Sequence, residues 1–272
     1  MRDIVTLNDT QREAVQKHAL AALSEFDRIC KSHHINYTLA YGTLIGAIRH
    51  KGFIPWDDDI DVCVSRKDLI RLRSLANKEL GKGFFYQSNA TDPNWFRLYD
   101  KVRVDGTIFR EIAHERENIH QGVYIDVFPI DNVPQKKFLA KCQLLLYKVS
   151  SSILSAKYIN IRHRYGVKKV VAILLRVLFF PIKKKWLYCL SEWIATRTPQ
   201  GGNTCSFESP YQEVFPISIY QKYVEVPFVN YQFPTVAGYD YWLKTVYGDY
   251  MKMPPECKRV SLHALSELII PD

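Results

Sequence analysis

Residues 41–62 read YGTLIGAIRHKGFIPWDDDIDV. A Gly-Thr pair opens this stretch, and an acidic run near its end passes into alternating apolar residues. Successive side chains of a strand point to opposite faces. A strand over residues 59–64 therefore buries its apolar residues and places Asp59 and Asp61 together on the other face. Two adjacent carboxylates repel each other unless a cation lies between them. The pattern predicts a divalent site for Mg²⁺, with Mn²⁺ as the alternative.

A second stretch, YIDVFP at residues 124–129, has the same alternation. Its apolar residues share one face, and Asp126 lies on the other. If this strand pairs with the first, Asp126 becomes a third metal ligand or a general base. Three carboxylates around one or two Mg²⁺ ions are typical of phosphoryl transfer, in which metal ions neutralise charge on phosphate oxygens.

Acidic runs have a second interpretation, because most of them are solvated turns. The alternation with β-branched residues argues against a turn for Asp59 and Asp61. Asp57 and Asp58 fit a turn better, and we predict a supporting role for them.

Periodicity along the rest of the chain mixes strands and helices in the first half and is helical in the middle, which predicts an α+β fold. An N-terminal helix begins at a capping box of Thr10 and Glu13. A second helix begins at Ser65 and ends near Leu80. The remaining predicted elements are strands over 35–41, 84–87, 96–104, 107–111 and 224–229, and short helices over 43–50 and 239–247.

The motif at residues 42–61 closely resembles the signature of the LicD family. Further matches are KVR at 101–103, YIDVFPID at 124–131 and YGDYM at 247–251. That family comprises phosphocholine transferases of bacterial surface glycans and the related fukutin-type phosphosugar transferases, within the nucleotidyltransferase superfamily. The zinc-binding insertion of the fukutin branch has no counterpart here, since the cysteine spacing is missing.

The resemblance also implies a domain organisation. Residues 1–135 are expected to form a nucleotidyltransferase-like catalytic core with a mixed sheet flanked by helices. Composition, rather than the resemblance, makes residues 136–197 a basic helical insertion and a candidate for the membrane interface. Residues 198–272 complete the catalytic domain.

Individual roles follow from the same resemblance. It implies that Asp59 and Asp61 bind metal and that Asp126 is the third carboxylate. Backbone N–H groups at a glycine can approach a phosphate closely. Taken singly, basic residues are more often solvated surface charges. The residues that the resemblance places at the donor's phosphates are Gly42, Thr43, Arg49, Lys51, Lys101 and Arg103.

For the substrate, the resemblance implies CDP-choline as donor and a lipid-linked glycan hydroxyl as acceptor, in a teichoic acid or lipopolysaccharide-type precursor. A quaternary ammonium is held by aromatic ring faces. The candidate choline-binding rings are Trp56, beside the carboxylates, and then Tyr41, Trp95 and Tyr99. Core packing is the competing interpretation, since aromatic residues make up 13% of the chain.

Two other functions remain open on the sequence. The same metal site suits nucleotidylyl transfer to a small-molecule or sugar hydroxyl. A basic, non-enzymatic module that binds RNA or membrane is the third candidate. No nucleic-acid motif is present, and we expect no nucleic-acid partner.

The charge is unevenly distributed. The chain carries 37 Lys and Arg against 28 Asp and Glu, a net of +9. Residues 136–197 hold 14 basic residues and one acidic residue, a net of +13, and the remainder holds 23 and 27, a net of −4. Within the basic segment, the apolar run 170–182 is either an interfacial helix or a buried core helix.

The remaining signals concern location. Residues 1–13 lack the apolar core of a signal peptide. No apolar run reaches the roughly 18 residues that a spanning helix needs. The six scattered cysteines suggest reduced core thiols. We expect a cytoplasmic protein held peripherally on the inner face of the cytoplasmic membrane.

Overall fold

The computed structural model describes residues 4–158, 160–161, 166–198, 202–209, 211–261 and 263–271. Part of the predicted helical segment, residues 159 and 162–165, lies outside the described residues. The helices are α1 Asp9–Ser32, α2 Tyr41–Ile45, α3 Arg66–Glu79, α4 Lys137–Tyr158, α5 Gly166–Leu178, α6 Lys184–Thr196 and α7 Tyr239–Tyr247. The strands are β1 Tyr37–Leu39, β2 Asp61–Ser65, β3 Phe84–Gln87, β4 Asp100–Val104, β5 Ile108–Glu111, β6 Tyr124–Val133, β7 Asn203–Cys205, β8 Phe215–Pro216, β9 Tyr223–Phe228, β10 Tyr231–Val236 and β11 Leu265–Ile269.

One mixed sheet organises the chain. Five of its strands follow the order β1-β2-β6-β4-β3, and β7 and β8 extend it from β6. The pair β2–β6 is parallel, whereas β1–β2, β4–β6 and β3–β4 are antiparallel. Two further strand pairs, β9–β10 and β5–β11, lie outside this sheet. The predicted α+β class with a nucleotidyltransferase-like mixed sheet is confirmed.

Helix boundaries follow side-chain capping. Ser65 caps α3 as predicted, because its hydroxyl accepts a hydrogen bond from the Asp68 N–H. The predicted cap of α1 is wrong by two residues. Asn8 Oδ1 accepts from the Gln11 N–H at 2.8 Å, and the Gln11 side chain accepts from the Asn8 N–H at 3.1 Å. Both pairs have the spacing of a capping box, and the earlier one forms.

The buried apolar residues form two separate cores. The larger core joins α1, α3 and α7 to the mixed sheet. The smaller core lies under α4 and α6 and includes Phe96 and Leu98. This explains why the predicted strand 96–104 is wrong at its start. The apolar residues of 96–99 are buried beneath helices, and the strand β4 begins only at Asp100.

Helix α5 of the basic segment is mostly exposed, unlike a helix of the core. In α5 the only buried side chain is Ala172. The interpretation of 170–182 as a buried core helix is therefore wrong. No helix among the described residues is long and apolar enough to cross a membrane.

The expectation that all cysteines lie in the core is also wrong, because Cys189 and Cys257 are exposed.

A π-helical turn, Gly46–His50, continues α2 toward the acidic run. A Cβ atom on Gly46 would lie 2.4 Å from the Gly52 carbonyl oxygen and 3.3 Å from the Ile54 nitrogen. Both neighbours are backbone atoms, which cannot rotate away. Only glycine therefore fits at the point where the chain folds back on itself.

We expect Gly46→Ala to lower the free energy of unfolding by about 2 kcal/mol because of this backbone overlap, although alanine is otherwise the better helix former by about 1 kcal/mol. Urea unfolding measures the effect. Gly81→Ala is the matched control, since its Cβ would meet only the flexible end of Glu25, at 3.3 Å. Equal stability of Gly46→Ala and the unmodified protein would contradict the close approach.

Candidate active site

The strand register brings two of the predicted carboxylates together. In the parallel β2–β6 pair, Asp61 is the direct partner of Asp126. The Asp126 N–H donates to the Ile60 carbonyl at 2.8 Å, which extends the pairing toward the acidic run. Asp59 lies two residues before β2, so the predicted strand begins too early. The strand pairing on which a role for Asp126 depended is therefore present.

The environment of these carboxylates opposes full ionisation. Burial raises the pKa of Asp61 well above its ordinary value, and the charges of Asp59, Asp126 and Asp57 raise it further. Burial likewise raises the pKa of Asp57, with Asp59 as the next contributor. We call Asp57, Asp59, Asp61 and Asp126 the carboxylate cluster. Such a concentration of like charge is the situation that a bound cation offsets.

Asp57 is thus closer to the site than the sequence indicated. A Cβ atom on Gly42 would lie 2.7 Å from Asp57 Oδ2. The Asp57 carboxylate therefore lies against the bare Cα of Gly42, which links the Gly-Thr pair to the acidic run. The interpretation of Asp57 as a turn residue is replaced by membership of the cluster.

Thr43 fixes the start of β2. Its hydroxyl accepts a hydrogen bond from the Asp61 N–H at 2.8 Å, and the side chain is buried. The preceding Tyr41 begins α2 with a φ of +45°, a left-handed conformation that side chains rarely adopt. Thr43 of the Gly-Thr pair therefore holds the Asp61 backbone in place through its side chain.

Lys101 lies inside the protein beside Asp126. It is 1% exposed, and its Nζ is 2.7 Å from Asp126 Oδ1 and 3.9 Å from Glu111 Oε2. The ammonium also lies 3.1 Å from the centre of the Tyr124 ring. Burial raises the pKa of Asp126 even though Lys101 opposes the shift. Lys101 therefore supplies Asp126 with its counter-charge.

Arg103 is equally buried. Its Nε donates to Gln87 Oε1 at 2.7 Å, and its Nη1 donates to the Gly122 carbonyl at 2.7 Å. The two strand cations that the resemblance places at the diphosphate thus have their charged ends within the protein.

The other two predicted cations lie nearer the surface. Arg49 donates to the Tyr250 carbonyl at 2.7 Å and to the Lys252 carbonyl at 3.3 Å, which ties the π-helical turn to the YGDYM stretch. Lys51 is exposed, and its Nζ contacts only the Ile48 carbonyl among the described hydrogen bonds, at 3.2 Å. Among the four cations that the resemblance places at the diphosphate, Lys51 is exposed to solvent.

His263 is a site residue that the sequence did not reveal. Its Nδ1 is 2.7 Å from Asp58 Oδ1, and its Nε2 is 3.6 Å from Asp59 Oδ2. Burial acts to lower its pKa, but the Asp59 charge and the Asp58 hydrogen bond outweigh burial and raise it. Because 205 residues separate Asp58 from His263, no local spacing signals this contact. Asp58 is buried and also accepts from the Ser261 hydroxyl.

Side chains with the chemistry of divalent metal ligands also converge beside the carboxylate cluster, around Asp59. Among the described residues, Asp58, Asp59 and His263 form a group whose ligand atoms all lie within 4.8 Å of one another. The predicted ligands Asp59, Asp61 and Asp126 do not form such a close group among the described residues. The charges of Asp59 and Asp126 nevertheless add to burial in raising the pKa of Asp61. Carboxylate oxygens suit Mg²⁺ and Mn²⁺. A ligating histidine usually donates its other N–H to a carboxylate, as His263 is placed to do to Asp58.

Three of the four predicted choline-binding rings form one row. Tyr41 and Tyr99 both pack on Phe128, with ring centres 5.6 and 4.8 Å away, and Trp95 packs on Tyr99 at 5.4 Å. Tyr41 and Trp95 are no more than 6% exposed. Their rings therefore contribute to core packing in this structure.

Trp56 lies apart from that row and is half-buried. The Arg259 guanidinium is 5.9 Å from the centre of its ring. Beside it is a cavity of about 390 Å³, whose lining includes Trp56, Arg259, Ser261 and His263. This cavity adjoins the carboxylate cluster through His263.

Comparison with known proteins identifies the domain. Residues 34–165 match the family described as LicD/FKTN/FKRP, nucleotidyltransferase domain. A Haemophilus influenzae protein named lipopolysaccharide cholinephosphotransferase LicD is 27% identical over 243 residues, which are 87% of this chain and 90% of that protein. The human protein named ribitol 5-phosphate transferase FKRP is 30% identical over 114 residues, 40% of this chain and 20% of that protein. An uncharacterized Rickettsia prowazekii protein is 30% identical over 142 residues, 49% of each chain.

The mixed sheet, the paired carboxylate strands and these matches together define a transferase with a nucleotidyltransferase-like core. The match over residues 34–165 and the similarity to the Haemophilus protein confirm the resemblance to the LicD family that the motif predicted.

Proposed function

We propose that the protein transfers phosphocholine from CDP-choline to a hydroxyl of a glycan, with Mg²⁺ bound at the carboxylate cluster. The observation that carries this proposal is the Asp61–Asp126 register beside Asp57 and Asp59. The similarity to the Haemophilus cholinephosphotransferase over most of both chains supports the choice of donor and acceptor. The cluster also argues against a purely non-enzymatic module, because buried like charges cost stability without a ligand.

The proposed reaction is a single displacement at phosphorus. The acceptor oxygen forms a bond to the phosphorus that bears choline, the bond from that phosphorus to the bridging oxygen breaks, and CMP leaves. The acceptor proton passes to Asp126, and burial, which raises the pKa of this carboxyl, favours its acting as a general base. Lys101 holds the Asp126 carboxylate in position through the 2.7 Å ion pair.

The remaining residues prepare the site. Asp59 and Asp61 would hold Mg²⁺, with Asp126 alongside, and His263 lies next to Asp59. When bound, the ion neutralises negative charge on phosphate oxygens. Lys51, the exposed basic residue within the motif, would contact the donor's diphosphate. The cavity beside Trp56 has room for part of the donor, although Arg259 already lies near that ring.

We expect His263→Ala to weaken Mg²⁺ or Mn²⁺ binding by about 10- to 100-fold, because the histidine is held by Asp58 at 2.7 Å and lies 3.6 Å from Asp59 in the candidate group of metal ligands. Metal-dependent thermal stabilisation measures this directly. His18→Ala is the control, since His18 lies on α1 and its ring contacts only the Ala14 carbonyl among the described hydrogen bonds. Unchanged metal binding in His263→Ala would exclude this role.

The donor is tested by a thermal-shift screen of nucleotide diphospho compounds with and without Mg²⁺. Stabilisation by a bound ligand follows mass action, so the preferred donor gives the largest shift. We expect CDP-choline to exceed CDP, and Mg²⁺ to increase the difference. A larger shift with a CDP-polyol would redirect the proposal to a phosphopolyol donor, in line with the name of the human relative.

A second candidate is nucleotidylyl transfer to a sugar or small-molecule hydroxyl. The family description as a nucleotidyltransferase domain favours it. The same carboxylate cluster serves both reactions, and attack at the other phosphorus distinguishes them. A product that carries the cytidine label would establish this second reaction.

The acceptor belongs to the same proposal. We expect a lipid-linked glycan precursor of the teichoic acid or lipopolysaccharide type, presented at the inner face of the cytoplasmic membrane. The similarity to a lipopolysaccharide-modifying relative supports this choice. Transfer to a lipid-extracted acceptor fraction, compared with its lipid-free glycan, tests it.

A further inference from the structure

Helix α5 exposes apolar side chains along one side. Val167, Val170, Val171, Leu174, Val177 and Leu178 recur at helical spacing, and each is at least 47% exposed. We call these six residues the α5 face. An amphipathic helix of a globular domain turns its apolar stripe inward. In α5 the buried Ala172 and the partly buried Leu175 face the protein, and Phe179, which follows the helix, packs on the smaller core. The α5 face is therefore a second apolar stripe, and it is exposed.

The chain that follows α5 exposes further large apolar side chains. Phe180 is 80% exposed, and Trp186 and Trp193 of α6 are 71% and 58% exposed. Exposed aromatic residues of this kind are typical of the boundary between lipid and water. Contiguous exposed apolar surface on a folded protein marks an interaction site.

The same segment exposes basic residues on α5 and at the start of α6. Lys168, Lys183 and Lys185 are exposed, and none has an acidic partner within 4 Å among the described ion pairs. The segment 136–197 as a whole carries a net of +13. A partner for this surface must therefore be apolar at its centre and anionic around it.

We propose that the α5 face lies in the headgroup region of an anionic lipid bilayer, with α5 parallel to the membrane plane. At 13 residues, α5 is about 20 Å long, too short to cross a hydrocarbon core of about 30 Å. Its apolar side enters the boundary between headgroups and acyl chains, and the lysines contact lipid phosphates.

Charge complementarity selects lipid over a second copy of this chain. A two-fold dimer through the α5 face would bring two strongly basic segments together. An anionic bilayer supplies both the apolar interior and the counter-charge. This inference does not depend on which donor the active site uses.

The test is co-sedimentation with vesicles of phosphatidylcholine containing 30% phosphatidylglycerol, compared with phosphatidylcholine alone. We expect at least tenfold stronger binding to the anionic vesicles at low salt. Leu174→Asp/Val177→Asp should reduce binding at least tenfold, because two exposed apolar contacts are lost. Ile70→Asp controls for the effect of one such substitution, since Ile70 is 58% exposed on α3.

The basic residues are tested separately. Lys183→Glu/Lys185→Glu should weaken binding to anionic vesicles at least tenfold, whereas Lys78→Glu/Lys82→Glu, with the same change in charge at exposed positions elsewhere, should not. Thermal melting of every variant checks that it is folded. If Leu174→Asp/Val177→Asp melts early, Leu174→Ser/Val177→Ser takes its place.

Two results would overturn the proposal. One is vesicle binding that is absent or insensitive to both pairs of substitutions. The other is a dimer in light scattering that Leu174→Asp/Val177→Asp abolishes, which would assign the α5 face to a second copy of the chain.

Discussion

Asp61→Asn is expected to lower the rate of transfer by about 10³-fold while the protein keeps its fold. Asp61 lies at the centre of the carboxylate cluster, with Asp59, Asp126 and Asp57 all acting on its pKa. The amide keeps the size of the side chain but removes the charge that binds the metal. The backbone hydrogen bond from the Asp61 N–H to Thr43 is retained.

The same substitution should not weaken folding. Removing one of several mutually repelling carboxylates leaves the free energy of unfolding unchanged or raises it by about 1 kcal/mol in metal-free buffer. Urea unfolding and steady-state rates measured on one preparation separate the two effects. Asp9→Asn is the control, because Asp9 is almost fully exposed. A variant with near-normal activity would remove Asp61 from the reaction.

Lys101→Met is expected to lower the free energy of unfolding by about 3–5 kcal/mol. The substitution leaves Asp126 buried without its 2.7 Å partner and removes the nearest cation from Glu111. Burial already acts against the Glu111 charge, and Lys101 is the largest of the influences that lower the pKa of Glu111 to about 2. Chemical unfolding measures the loss.

A double-mutant cycle identifies the cause. Lys101→Met/Asp126→Asn should be less destabilised than the sum of the single variants by about 2 kcal/mol, because neither buried charge then lacks a partner. Lys82→Met, at an exposed lysine, should change stability by less than about 0.5 kcal/mol. Additive losses in the cycle would show that Lys101 and Asp126 are energetically independent.

The carboxylate strands were predictable because their information is local. Alternation in residues 59–64 and 124–129 places the acidic residues on one face, and the strand pairing then brings Asp61 and Asp126 together. The capping of α3 by Ser65 and the helix α7 are likewise set by near neighbours.

What the sequence did not reveal depends on long-range packing. His263 meets Asp58 across 205 residues, and the contact has no spacing pattern. Lys101 and Arg103 were expected to contact the donor's diphosphate, yet their strand β4 lies between β3 and β6 and both side chains are buried. The start of β4 was misjudged because burial under α4 and α6 gives residues 96–99 the apolar character of a strand.

The most direct measurement follows two labels of CDP-choline, one on the choline methyl groups and one on cytidine, with a glycan acceptor and Mg²⁺. We predict that the choline label enters the glycan and that the cytidine label is released as CMP. Asp61→Asn should transfer neither label, and removal of Mg²⁺ by a chelator should have the same effect. Transfer of the cytidine label to the acceptor, or equal choline transfer by Asp61→Asn, would contradict the proposed reaction.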